Sequence, residues 1–156
     1  MVKGQHKHMA TTTTNLMNEI SKEKNLDKFK KRMQAEYVDE NISSMLIKLI
    51  NTKGVTIPEI IRDSNLAKGY VYEIINGTKK NPARDKILAI LIAIGCDINE
   101  VNNFLKRAGI AAIDERNVRD SLIYFCINSG FDVLKTNDLL INENCNPLDR
   151  VGGEIK

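Results

Sequence analysis

The sequence predicts an all-α protein: five short helices over residues 41–110, an amphipathic helix before them and two helices after them. Apolar residues recur three and four positions apart along most of the chain, the period of a helix with one buried face. Glycine, proline and Asx residues interrupt these stripes where helices begin and end. The apolar share is 42%, with no Trp and only four Phe and four Tyr, so the core must be mostly aliphatic. Such a core suits small packed helices better than strands.

The net charge of +3 is unevenly distributed along the chain. Residues 1–40 carry eight Lys/Arg and six Asp/Glu, a net +2; residues 41–110 carry ten and six, a net +4. Residues 111–156 carry five and eight, a net −3. A basic middle followed by an acidic end is typical of a module that meets an anion, joined to a segment that does not.

The cysteines and the apolar runs limit the function classes. Cys96, Cys126 and Cys145 lie far apart, form no CxxC pair and have no nearby histidine. We therefore expect free structural thiols in a reducing cytoplasm, with no metal and no cofactor. No secretory signal is evident at the start, and no run reaches the roughly 18 apolar residues of a membrane span.

The segment over residues 41–80 has a clear start or stop signal at each helix boundary. An apolar stripe from Ile42 to Ile50 ends at Gly54. Thr56-Ile57-Pro58-Glu59 forms a capping box that starts a short helix. The next helix spans about 67–75 and ends at Asn76-Gly77, where glycine can adopt the left-handed conformation.

Two further helices complete this module. Asn81-Pro82 precedes a helix whose buried face is expected to include Ile87, Leu88, Leu91 and Ile92, ending at Gly95. Asp97-Ile98-Asn99-Glu100 repeats the start signal, and Gly109 ends the last helix.

Residues 111–150 predict a two-helix extension. Asp114-Glu115 is expected to start a helix that ends at Gly130, and Asp132 to start a second one. Their apolar residues are Val118, Leu122, Ile123, Phe125 and Cys126 in the first, and Val133, Leu134, Leu139, Leu140 and Ile141 in the second. Residues 143–156 are rich in Asn, Asp, Gly and Pro and are expected to fray, with 151–156 as a tail.

The motifs of the middle segment resemble the DNA-binding domains of Cro/cI-type (XRE family) repressors. The resemblance covers residues 41–110 and rests on Thr56-x-x-Glu59-Ile60, Leu66-Ala67, Tyr70-Val71-Tyr72-x-Ile74, Asn76-Gly77 and Asn81-Pro82. It implies a lambda-repressor-like helix-turn-helix fold. It also implies a sequence-specific, double-stranded-DNA-binding transcriptional regulator of bacterial or phage type, expected to be a repressor. Such a protein is expected to be cytoplasmic, associated with the nucleoid and homodimeric.

The resemblance also implies a set of DNA-contacting residues. The helix at about 67–75 is expected in the major groove, with its exposed side chains on base edges and the residues after it on phosphates. The expected base readers are Lys68, Gly69, Tyr70, Tyr72 and Glu73. The expected phosphate contacts are Thr56, Thr78, Lys79, Lys80 and Arg84.

Other roles remain open for several of these residues. Tyr70 and Tyr72 could pack in a half-buried position, Glu73 could form an exposed ion pair, and Lys79-Lys80 could be a solvated turn. Ile57 stands where the family often has Gln, and Ala67 where it often has a hydroxylated residue. Both departures favour weaker DNA contact.

The N-terminal residues divide into a disordered leader, 1–14, and a helical arm, 15–40. Two interpretations of the first eight residues stay open: an added leader, or a natural start at Met9. In the arm, Leu26, Phe29, Met33 and Tyr37 share one helical face, and the other face is basic. It could be a solvated helix packed on the body, a basic arm on the DNA backbone, or a dimerising helix.

Two other functions are alternatives to DNA regulation. One is a protein-interaction module or antitoxin, in which residues 111–150 bind a partner protein. The other is an enzyme, which the sequence does not favour. It has no histidine beyond position 8, no glycine-rich phosphate loop and no Cys–His pair.

Overall fold

A computed structural model describes residues 17–18, 22, 24–36 and 40–149. The chain divides into two units, one up to Glu40 and one from Asn41 onward. The described residues contain eight α-helices and no strand, which confirms the all-α prediction. None of the helices in these ranges is long and apolar enough to cross a membrane.

The first unit contributes one described helix, α1, Leu26–Glu36. Of its predicted apolar stripe, Leu26 is exposed and Phe29 is half-buried. The predicted leader, the side chains of Met33 and Tyr37, and the tail at 151–156 lie outside the described residues.

The described part of the second unit, residues 41–149, contains seven helices that follow one another through short connections. They are α2 Ile42–Lys53, α3 Ile57–Ser64, α4 Lys68–Ile75, α5 Arg84–Ile94, α6 Ile98–Arg107, α7 Val118–Asn128 and α8 Val133–Asn142.

The local start and stop signals have the predicted geometry. Thr56 and Glu59 form a capping box at α3, and Asp97 and Glu100 form another at α6. Gly54 ends α2 in the left-handed region at φ 70°. A residue with a Cβ is strained there, so glycine suits the position.

The core is organised around α5, which is apolar on all sides. Every residue from Ile87 to Leu91 is fully buried, and Ile94 nearly so. A helix that is apolar all round must be covered on all sides. In this unit α5 packs against α2, α3 and α8.

The extension completes this cover. Its side chains Ile123, Val133 and Leu140 are fully buried and belong to the same core cluster as α5. Helix α8 packs on α3, α5 and α7, and α7 also packs on α6. The extension and the five preceding helices therefore share one hydrophobic core.

The predicted start of the first extension helix at Asp114-Glu115 is wrong. Helix α7 begins at Val118, because Asn117 is its N-cap and accepts a hydrogen bond from the Asp120 amide at 2.9 Å. The preceding chain is held by other bonds instead. The Ile113 amide donates to Asn102 Oδ1 at 2.8 Å, and the Asp114 amide donates to Asp120 Oδ2 at 2.9 Å.

The expectation that the chain frays from residue 143 is also wrong for the described part, up to 149. Pro147, Leu148 and Asp149 are buried, and Leu148 is only 2% exposed. The Leu148 amide donates to Asn137 Oδ1 at 2.8 Å. The Leu148 side chain and this hydrogen bond, together with the bonds from Arg119 to the Asn146 and Pro147 carbonyls, thus hold this polar segment on the core.

Three consecutive residues in the first turn of α5 form ion pairs with the C-terminal extension. Arg84 makes a two-point contact with Asp120 at 3.0 and 2.9 Å, and Asp85 a two-point contact with Arg119 at 3.0 Å each. Lys86 Nζ lies 3.0 Å from Asp149 Oδ1.

Asp120, in the first of these pairs, shows how burial and charge compete. Burial alone would raise the pKa of Asp120. The hydrogen bonds from the Arg84 guanidinium and the Asp114 amide, together with the positive charges of Arg84 and Arg119, outweigh burial and lower that pKa. Asp120 is therefore held as a carboxylate between two guanidinium groups.

Leu148→Ala tests whether the C-terminal segment is part of the core. We expect it to lower the free energy of unfolding by about 2–5 kcal/mol, because the buried side chain is lost and a cavity is left. Urea denaturation at low protein concentration measures this. Leu134→Ala is the size-matched control, since Leu134 is 59% exposed. Equal effects of the two substitutions would contradict the docked position of residues 143–149.

Candidate nucleic-acid interface

Helix α4 is held on the core by one face and exposes the other. Val71 and Ile74 are fully buried, and Ile75 is nearly so. The turn before α4 contains Asn65 in the left-handed conformation, φ 62°. Asn tolerates this region better than most residues because its short polar side chain bonds locally. The exposed positions of α4 are Lys68, Gly69, Tyr72 and Glu73.

The end of α4 is tied to the start of α2. Ser43 Oγ donates to the Ile75 carbonyl. Gly77 follows at φ 86°, and the Lys79 amide donates to the Glu73 carbonyl at 2.9 Å. These bonds place Lys79 and Lys80 beside the end of the helix, on a cleft that Ser43 and Gly77 also line.

Tyr70 is half-buried and lies under two cations. Lys79 Nζ is 5.1 Å and Lys86 Nζ is 5.6 Å from the centre of its ring. Each contact is a cation–π interaction, worth about 0.5–1 kcal/mol at exposed sites. Tyr70 is therefore both a packing residue and part of the surface of α4.

Carboxylates neutralise many cations of the second unit but not those around α4. Ion pairs engage Lys53, Arg62, Arg84, Lys86, Arg116 and Arg119. Within residues 40–149, Lys68, Lys79 and Lys80 have no carboxylate partner. All three are exposed at the two ends of α4. The exposed face of α4 is therefore flanked by uncompensated positive charge.

Two of the residues expected on phosphates have other partners. Thr56 donates its amide and its hydroxyl to Glu59 Oε1, each at 2.9 Å, and these bonds lower the pKa of Glu59. Arg84 is surrounded by Asp120 and by the carbonyls of Ala111 and Ala112. The structure thus commits both side chains to the fold.

The sequence analysis did not single out Lys86 or Asn65. Lys86 on α5 contacts the ring of Tyr70 on α4, and Asn65 bonds to Asp149, which lies 84 positions later in the chain. Local periodicity carries no signal for such pairings. The positive φ of Asn65, in a turn of three residues between two helices, is the one feature that a turn analysis could have marked.

Comparison with known proteins agrees with this geometry. Residues 45–106 match the family model of the Cro/C1-type HTH DNA-binding domain. No curated protein and no solved structure matches the chain significantly. The matched segment runs from α2 through α6, so this part of the chain is similar to Cro/C1-type DNA-binding domains. A domain of this kind is typical of DNA-binding transcription regulators.

Gly69→Ala separates helix stability from surface access. A Cβ at Gly69 would meet no atom within 4 Å. We expect the variant to gain about 0.5–1 kcal/mol in the free energy of unfolding, because Ala loses less conformational freedom than Gly in a helix. We also expect weaker binding to duplex DNA, because the methyl group projects from the exposed face.

Urea denaturation and DNA titration of the same preparation measure both effects. A loss of stability would contradict the open helical environment of Gly69. Unchanged DNA binding would remove Gly69 from the set of readers.

Proposed function

We propose that this protein is a sequence-specific transcription regulator of bacterial or phage type that binds double-stranded DNA and represses transcription. Helix α4 enters the major groove in this proposal. The main supporting observation is the combination of a fixed inner face, Val71 and Ile74, with an outer face flanked by Lys68, Lys79 and Lys80. A rigid reading helix with uncompensated cations at both ends suits a groove bordered by phosphates.

The outer face of α4 offers groups for base recognition. Lys68 can donate to the O6 and N7 acceptors of guanine, and Glu73 can accept from the amino group of cytosine. Tyr72 and Tyr70 carry hydroxyl groups that both donate and accept. Gly69 has no side chain, so the DNA can approach the backbone of α4 closely there.

The segment after α4 is proposed to bind phosphates through Thr78, Lys79 and Lys80. All three are exposed, and the hydrogen bonds at the end of α4 fix the backbone that carries them. Phosphate contacts of this kind set the register of the protein on DNA and carry no sequence information directly. Thr56 and Arg84 are left out because their polar groups are used within the fold.

Lys80→Ala and Tyr70→Phe test the two kinds of contact. Lys80→Ala should weaken binding to all duplexes alike and flatten the slope of log affinity against log salt by about 0.9, the loss of one phosphate contact. Tyr70→Phe should change the preference between duplexes, because only a hydroxyl is removed. Fluorescence anisotropy over a salt series measures both.

Lys106→Ala is the matched control, an exposed lysine on α6 away from α4. It should leave preference unchanged and affect the slope least. If the unmodified protein ignores duplex DNA at low salt, the proposal fails.

The extension is proposed to join two copies of this chain. Its surface exposes four apolar side chains, which we call the apolar stripe: Val118, Phe125, Leu134 and Ile141, which are 72%, 53%, 59% and 48% exposed. Val118 and Phe125 lie two turns apart on α7, and Leu134 and Ile141 two turns apart on α8, and exposed apolar side chains that share a helix face mark a candidate interaction surface. A single module makes few DNA contacts, so a second copy would double the reading surface.

The charges on α8 favour a second copy over an unrelated partner. Leu134 and Ile141 lie two turns apart on one face of α8, with Lys135 and Asp138 between them. Two antiparallel copies of α8 that pair Leu134 with Ile141 bring Lys135 of one copy near Asp138 of the other. With Leu134 opposite Ile141, Lys135 lies opposite residue 140, two residues or about 3 Å along the helix from Asp138. The face is therefore self-complementary, as a two-fold interface requires.

Charge reversal tests this arrangement. Lys135→Glu should convert the dimer to a monomer, because it places like charges together. Adding Asp138→Lys should restore the dimer by exchanging the signs. Analytical ultracentrifugation measures the oligomeric state.

A monomeric unmodified protein, or a dimer insensitive to both changes, would contradict the interface. Capture of a different protein that depends on Leu134 and Ile141 would instead favour the interaction-module or antitoxin function.

A further inference from the structure

The buried carboxylate of Asp149, in the extension, links two parts of the DNA-binding domain. Its side chain is 0% exposed. Oδ1 accepts from Lys86 Nζ at 3.0 Å, and Oδ2 accepts from Asn65 Nδ2 at 3.3 Å. A buried carboxylate is stable only when its oxygens are paired in this way.

Both partners of Asp149 lie next to the proposed reading helix. Asn65 is the left-handed residue of the turn that leads into α4. Lys86 belongs to α5, and its ammonium lies over the Tyr70 ring of α4. The Asp149 carboxylate therefore holds both the turn that precedes α4 and the Lys86 ammonium that contacts Tyr70, a proposed base-reading residue.

We propose that Asp149 is a positioning residue for DNA reading: it holds Lys86 against Tyr70 and ties down the turn at Asn65. The inference rests on the proposed function and adds a residue of the extension to it. Without Asp149, Lys86 is a free cation beside the DNA and binds phosphate without regard to sequence. With Asp149 present, Lys86 instead orients Tyr70, a proposed base-reading residue.

A second ion pair offers a matched control. Arg84 and Asp120 join the same turn of α5 to the same extension and are comparably buried. Their contacts reach Ala111, Ala112 and Asp114, which lie outside α4 and its turn. Asp120→Asn therefore weakens the junction without touching the reading helix.

The test compares Asp149→Asn, Asn65→Gly and Asp120→Asn in the full chain. Two duplexes are used. The first is the best sequence from a binding selection, and the second is the single-base variant for which the Tyr70→Phe protein shows the smallest difference in affinity from the first. Affinity is measured over a salt series, at a temperature where circular dichroism shows each variant folded.

Asp149→Asn is expected to reduce the ratio of affinities for the two duplexes about threefold to tenfold, the value of about one hydrogen bond. It should also steepen the salt slope by about 0.9 on both duplexes, because Lys86 becomes available to a phosphate. Asn65→Gly keeps the left-handed backbone and leaves Lys86 paired. It should reduce the ratio and leave the slope unchanged.

Loss of stability alone would lower the two affinities in parallel and leave both the ratio and the slope as they are. The inference is overturned if Asp149→Asn behaves like Asp120→Asn, or if Asp149→Asn and Asn65→Gly both leave the ratio unchanged while the unmodified protein binds DNA. A protein that binds neither duplex overturns the proposed function, and this inference with it.

Discussion

The fold depends on the burial of α5, the helix that is apolar on every side. Its residues from Ile87 to Leu91 are all removed from solvent. Each buried aliphatic side chain of this size contributes about 1.5–3 kcal/mol relative to an exposed one. Helices α2 and α3 cover one part of α5, and α8 covers another. The extension is thus required by the same apolar surface that organises the DNA-binding domain.

The ion pairs at the start of α5 add direction to this packing. Apolar contacts alone would allow the extension to pack on α5 in many similar positions, whereas Arg84, Asp85 and Lys86 each require a particular partner in it. The order of charges, plus-minus-plus, meets minus-plus-minus in Asp120, Arg119 and Asp149. Buried ion pairs add little net stability because desolvation offsets their attraction, and we infer that these set the register. These pairs engage Arg84 and Lys86, whereas Lys68, Lys79 and Lys80 at the ends of α4 have no carboxylate partner within residues 40–149.

Local signals in the sequence predicted much of the fold. The capping boxes at Thr56 and Asp97 involve residues three apart, and the turn at Gly54 depends on one residue, so a short window contains all the necessary information. The family resemblance then indicated which face of the molecule is exposed for binding.

Features that depend on distant residues could not be predicted. Asn117 replaces Asp114 as the start of α7 because the Asp114 amide is bound to Asp120, which itself pairs with Arg84. Arg84 was expected on a phosphate because its pairing with Asp120, 36 positions later, leaves no signal in the local sequence. The segment around Leu148 has a polar composition that suggests fraying, yet Leu148, the side chain of Asn137 and the ion pair of Asp149 hold it. Contacts between residues that are separated by several turns or more of chain produce no periodic pattern in the sequence.

The central claim is that duplex DNA meets this protein at α4 and the segment after it. Mapping of backbone amide chemical shifts, with the full chain and a duplex from a binding selection, measures this directly. The account predicts that the largest shifts fall within residues 68–80, with smaller changes at the apolar stripe. Shifts concentrated on α7 and α8, with residues 68–80 unaffected, would contradict it.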